Sequence, residues 1–366
     1  MESFFSRKET NFIKGIGILL IFLHHFFTFP GWYINGIAYP SLEKVAVVFN
    51  APFKIPTAVF AFFTGYFYFL NSKKNFSYSL KKILKVYTVY WIIFIPLYIF
   101  AIVFHTESFT PGDFFAQLFA LEKETVYFNW YVFFYAFSML LLPFMTKYVY
   151  KRVWSLIVGG ILFPVLVCAV IMGFCTNAYV GTAASYFMGF FPCITIGYLF
   201  ARFKIFDKCH SFLTKKSTFF IPFIASLAGL AISMLGRNSL PSVGHMFLLY
   251  SLHGAVDYQL TMDIIYAPLF VFSMTEILRL LPEKKFFKII TVPFEQMGKY
   301  TLEMWLFSSI FFGASRDYFQ MLLYFPRKAP LVLLWGCVFC YLAALAIRFI
   351  VDLTGGKYVK KNKENK

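Results

Sequence analysis

The sequence predicts an all-α polytopic membrane protein with about ten transmembrane helices and both termini cytoplasmic. Three observations lead there. Of the 366 residues, 60% are hydrophobic and only 14% are charged, whereas a soluble domain carries about 25% charged residues. The apolar residues fall into runs long enough to cross a hydrocarbon core about 30 Å thick. Lysine and arginine collect in alternate connections between those runs, as they do in cytoplasmic loops.

The runs lie at about 12–29, 45–70, 83–104, 127–146, 153–174, 183–201, 217–236, 260–281, 301–315 and 331–351. Lipid offers no partner to open backbone groups and the runs are too long for barrel strands, so each is read as a helix. Six alternate segments (the N-terminus, 71–82 with Lys85 just inside the next helix, 147–152, 202–216, 282–300 and the tail) hold 24 Lys and Arg residues, against 6 in the segments between them. The 105–126 connection is acidic, with Glu107, Asp113, Glu122 and Glu124. Residues 1–351 form one transmembrane domain, and 352–366 form a basic cytoplasmic tail expected to be disordered near anionic lipid. The net charge of +17 is therefore loop charge facing membrane lipids. No basic stretch is interleaved with aromatics in a polar setting, which argues against nucleic acid as a partner. The six cysteines are scattered and imply no metal site; the Cys337–Cys340 pair lies within an apolar run and reads as packing.

The first run, FIKGIGILLIFLHHFFTF from Phe12 to Phe29, carries the candidate chemistry. It is too long for a signal-peptide core and is followed by further spans, so it is read as an uncleaved first helix. Ionisable groups inside a span are costly and face a protein interior or a wet cavity. Eleven residues separate Lys14 from His25, about three turns plus 20°, so the two share one helical face about 16 Å apart along the axis. His24 is turned roughly 80° from Lys14. With the N-terminus inside, Lys14 lies near the cytoplasmic mouth and His25 in the outer half. A histidine at that depth suits general-base chemistry, since desolvation keeps the imidazole neutral.

Other candidates have a plainer reading beside the functional one. Lys81, Lys82 and Lys85 open the third helix as a membrane anchor or as a cradle for a phosphate-bearing donor. Glu303 enters the ninth helix and is read as a partner for Lys14. Trp130 and Tyr131 start the fourth helix where an aromatic belt is the default. Residues 244–256 are too short to span and are read as a re-entrant or interfacial helix, with His253 and Asp257 spaced so that the carboxylate can orient the imidazole.

The first run, KGIGILLIFLHH, resembles the opening helix of the membrane acyltransferase-3 family, integral membrane O-acyltransferases acting on glycans. So do PTAVFAFFTGYFYF with Thr64 and Gly65, LKKILKVYTVYW, NWYVFFYAFSMLLLPF, FPCITIGYLFAR and MGKYTLEMWLF, in order along roughly 11–350. The resemblance places the family's functional histidine on His25 and its basic partner on Lys14. Lysine stands where arginine is common, Asn11 where an acidic residue is frequent, and Ser308 where a second histidine is often seen. The resemblance implies transfer of a short acyl group, most often acetyl, from cytoplasmic acyl-CoA to a hydroxyl of an extracytoplasmic or lipid-linked polysaccharide at the cell (plasma or inner) membrane. In that reading acetyl-CoA is a donor substrate and there is no bound cofactor. Lys14, Lys81, Lys82 and Lys85 would hold the donor, and His25 would deprotonate the acceptor or briefly carry the acyl group. The competing class is a non-enzymatic glycan or lipid exporter. It predicts partial function in His25→Ala and no consumption of acyl-CoA, and the absence of an internal repeat leans against it.

Overall fold

The computed structural model describes residues 2–28, 52–104, 110–122, 125–174, 178–215, 219–237, 259–281 and 285–361. Among them every regular element is helical: α1 (Arg7–Phe27), α2 (Ile55–Leu70), α3 (Phe76–Val103), α4 (Pro111–Leu118), α5 (Trp130–Phe144), α6 (Val153–Ile157), α7 (Phe163–Phe174), α8 (Ala178–Phe203), α9 (Ile205–Thr214), α10 (Phe220–Ala231), α11 (Gln259–Leu280), α12 (Lys285–Lys299), α13 (Thr301–Ser308), α14 (Arg316–Tyr324) and α15 (Ala329–Lys361). The 244–256 segment, with His253 and Asp257, lies outside the described residues.

Among the described residues, six stretches are long and apolar enough to cross a membrane: Arg7–Phe27, Phe76–Val103, Trp130–Val149, Val153–Ile171, Ala183–Phe203 and Ala329–Leu353. The other expected spans differ in kind. Helix α2 and the stretch Phe220–Gly236 are apolar but shorter. Helix α11 has the length yet carries Asp263, Glu276 and Arg279. The ninth expected run is broken, because α13 stops at Ser308 and passes through a tight 3-10 turn, Ser309–Phe311, before α14. Two expectations need correction. Residues 282–300, read as a loop, contain the amphipathic helix α12. The final helix continues through Lys361, so the tail begins as helix rather than as disordered chain.

Helix α1 starts at a capping box. The Glu9 backbone N–H donates to Ser6 Oγ at 3.1 Å, and the Ser6 N–H donates to Glu9 Oε2 at 2.7 Å, which satisfies two otherwise orphaned donors. Ahead of it, Phe4 and Phe5 pack against Phe206 and Tyr66, joining the start of α1 to the end of α2 and the start of α9. This end is called basal below. Arg279 ties it together: Nε meets Glu9 at 2.7 Å, Nη1 meets Glu276 at 3.3 Å, and Nη2 donates to the Phe4 carbonyl at 2.6 Å. His210 Nδ1 lies 2.8 Å from the same Glu276.

Two close helix crossings set the positions of α1 and α2. A β-carbon on Gly15 would fall 1.9 Å from the Phe294 carbonyl oxygen, and one on Gly298 would fall 1.7 Å from that of Asn11. At the second crossing, Gly65 faces the Ile194 carbonyl at 1.8 Å and Gly197 faces that of Phe62 at 2.0 Å by the same construction. Each crossing thus has one glycine on each helix, the small-residue contact by which membrane helices approach closely. Elsewhere Arg237 makes a two-pronged pair with Asp263, at 2.8 and 3.0 Å, with neither side chain exposed. That pair pins the end of the α10 segment to α11.

Candidate active site: a cation-lined cavity

The crossing of α1 by α12 holds Lys14 beside the loop into α13. There it lines a cavity of about 370 Å³ between α1, α2, α3, α5, α12, α13 and α15. The basal part of the wall is cationic, with Lys82, Lys85, Lys299 and Arg348 joining Lys14. Tyr78 is also in the wall, with Lys82 Nζ 5.4 Å from its ring centre. Further in, the lining turns aromatic and hydroxylic: Phe60, Thr64, Tyr131, Tyr135 and Trp305. The Thr64 hydroxyl donates to its own helix at the Phe60 carbonyl, 2.8 Å away.

Among the described residues the buried carboxylate in this wall is Glu303. Its ion-pair partner is Arg348, at 3.9 Å, not the Lys14 expected from the sequence; Arg348 also pairs with Asp352 at 3.3 Å. The reason is geometric. Helix α15 runs past α13 and presents its arginine to Glu303, which leaves the lysines to define an anion-attracting surface. Five basic side chains thus line this mouth, with one carboxylate that is already engaged.

His25 lies outside this lining. Its ring sits 4.1 Å from that of Phe128, 6.2 Å from Phe312 and 4.7 Å from His24. Phe128 precedes Tyr131 by three residues, and Phe312 follows Trp305 by seven, so the segments that wall the cavity continue upward to cover His25. Lys14 and His25 therefore both face the side of α1 covered by α13 and the entry to α5, one at the cavity and the other beyond its inner end. The inner end is aromatic. Trp305 packs 4.9 Å from Tyr131 and 6.0 Å from Trp130, and Trp130 stacks on Tyr186 at 4.0 Å.

Of the residues singled out in the sequence, the structure gathers Lys14, Lys82, Lys85, Tyr131 and Glu303 around one space. Lys81 does not line it, because on α3 it is turned about 100° from Lys82. Trp130 supports the wall from behind rather than facing the cavity. Lys299, Arg348 and Trp305 were missed. Arg348 carried a usable signal, as a charge inside the last apolar run is a functional flag by default. Lys299 was hidden among loop charges, and Trp305 among aromatics.

A helical bundle with six apolar, membrane-length stretches among the described residues and a cation-lined interior cavity defines a multi-pass membrane protein. The particular family follows from comparison: the acyltransferase-3 family, described as an acyltransferase domain, matches residues 7–349. The chain belongs to that family and is a membrane acyltransferase. No curated protein and no solved structure was found to match it.

Proposed function

We propose that this protein transfers a short acyl group, acetyl above all, from cytoplasmic acyl-CoA to a hydroxyl of an extracytoplasmic or lipid-linked polysaccharide. The observation that carries this reading is the cavity whose basal mouth combines Lys14, Lys82, Lys85, Lys299 and Arg348. Such a mouth suits the phosphates of a coenzyme A donor, and the aromatic inner part suits its thioester arm. In this reading the basal end faces the cytoplasm, both termini are cytoplasmic, and about ten passages through the cell membrane form a single domain over residues 1–351. The bias of Lys and Arg toward alternate connections supports that orientation.

His25 then serves the acceptor side. As general base it takes the acceptor hydroxyl proton while that oxygen attacks the thioester carbon. The carbon–sulfur bond breaks, an ester forms, and the departing thiolate takes the proton back from the imidazolium. In the acyl-carrier variant, the imidazole nitrogen first displaces the thiolate and then passes the acyl group to the hydroxyl. Mass spectrometry of cell-surface glycans tests the reading. Cells with wild-type protein are expected to carry an acyl mass increment that disappears in His25→Ala and falls in Lys14→Ala. An increment unchanged in His25→Ala removes that residue from the mechanism.

A further inference from the structure

The inner end of the cavity raises the question of what sets the size of the transferred group. Trp305 is only 2% exposed, lines the cavity, and is braced by Tyr131, Trp130 and, at 6.2 Å, Phe60. The braced ring behaves as a rigid floor, since close-packed interiors resist the insertion of further methylenes. Just beyond the floor lie Phe128 and His25.

We propose that Trp305 reads the acyl group of the donor: its braced indole stops the acyl chain after a few carbons. The inference rests on the acyl-CoA reading of the cavity and adds to it the residue that sets chain length.

The test is equilibrium binding of coenzyme A, acetyl-CoA and octanoyl-CoA to the full-length protein in lipid nanodiscs, for wild type, Trp305→Ala and Trp305→Phe. Wild type is expected to bind acetyl-CoA at least about tenfold more tightly than octanoyl-CoA, the size of discrimination a tight apolar pocket gives. Trp305→Ala is expected to erase most of that ratio while leaving the affinity for coenzyme A itself within about threefold, because the cationic mouth is untouched. Trp305→Phe, whose smaller ring leaves more depth, is expected to move the length discrimination part of the way toward that of the alanine variant. Trp305→Phe decides the matter if the alanine variant does not fold. A wild type that binds octanoyl-CoA as tightly as acetyl-CoA, or variants with the wild-type ratios, overturns the role of Trp305 alone. A wild type that binds none of the three ligands overturns the donor-cavity reading itself.

Discussion

At the scale of single residues, Arg348 has two acidic neighbours and remains partly exposed. It lies 3.9 Å from Glu303 and 3.3 Å from Asp352, its side chain is 33% exposed, and it lines the cavity. Two carboxylates hold it in place, and under the proposed function its remaining donors serve the phosphates of the acyl-CoA. Arg348→Ala is therefore expected to raise the KM for acyl-CoA by about 10- to 100-fold, the range for losing a charge-assisted contact, with a smaller change in kcat. Steady-state release of free thiol measures both. A KM unchanged in that variant would mean the arginine serves Glu303 only. Lys82 and Lys81 form an internal comparison on one helix: Lys82→Ala is expected to weaken donor binding, while Lys81→Ala, which alters no lining residue, is expected to leave it near wild type. That Lys14 and His25 share one side of α1 was legible, because helical periodicity converts spacing into a face. It could not disclose that Glu303 pairs with Arg348, since that contact depends on how α15 passes α13.

At the scale of elements, the two glycine crossings locate the chemistry. Gly15 lets α12 cross α1 at the backbone, one residue beyond Lys14, and Gly298 lies in the cavity wall itself. Gly65 follows the cavity-lining Thr64 and sets α2 against α8. A methyl group at any of these positions meets a carbonyl oxygen of the neighbouring backbone, which cannot rotate away as a side chain can. Gly65→Ala and Gly298→Ala are each expected to cost about 1–3 kcal/mol, the usual price of overpacking. Thermal melting in detergent is expected to fall for both, while Gly112→Ala, with open space around it, is expected to melt as wild type. Equal melting temperatures for all three would contradict the crossings. Long apolar runs such as α3 and α15 were legible from hydropathy, and Thr64–Gly65 from resemblance. Helix α12 was not, because its charges made it look like a loop, and the break after Ser308 was not, because Ile310, Phe311 and Phe312 continue the apolar pattern through the turn.

At the scale of the whole molecule, the parts form a division of labour along one axis. The basal end collects cations around an open cavity; an aromatic floor follows; His25 lies past that floor among Phe128 and Phe312. In the proposed orientation the donor enters from the cytoplasm and the acceptor is served from the opposite side, so neither substrate needs to cross the membrane freely. Cysteine labelling with a membrane-impermeant reagent in intact cells, on a chain with its native cysteines replaced, is expected to leave position 8 unlabelled until the cells are opened. Labelling at position 8 in intact cells would reverse the orientation and with it the direction of transfer.

The central claim is that donor binding and group transfer reside in separate parts of one helical face. The most direct measurement is made on the purified His25→Ala protein in nanodiscs, with acetyl-CoA and a glycan extract of the producing cells, following donor binding and acyl-glycan formation together. The account predicts acetyl-CoA affinity within about threefold of wild type, and acyl-glycan formation lower by at least about 100-fold, as expected when a general base is lost. Transfer at the wild-type rate, or loss of donor binding together with transfer, would contradict it.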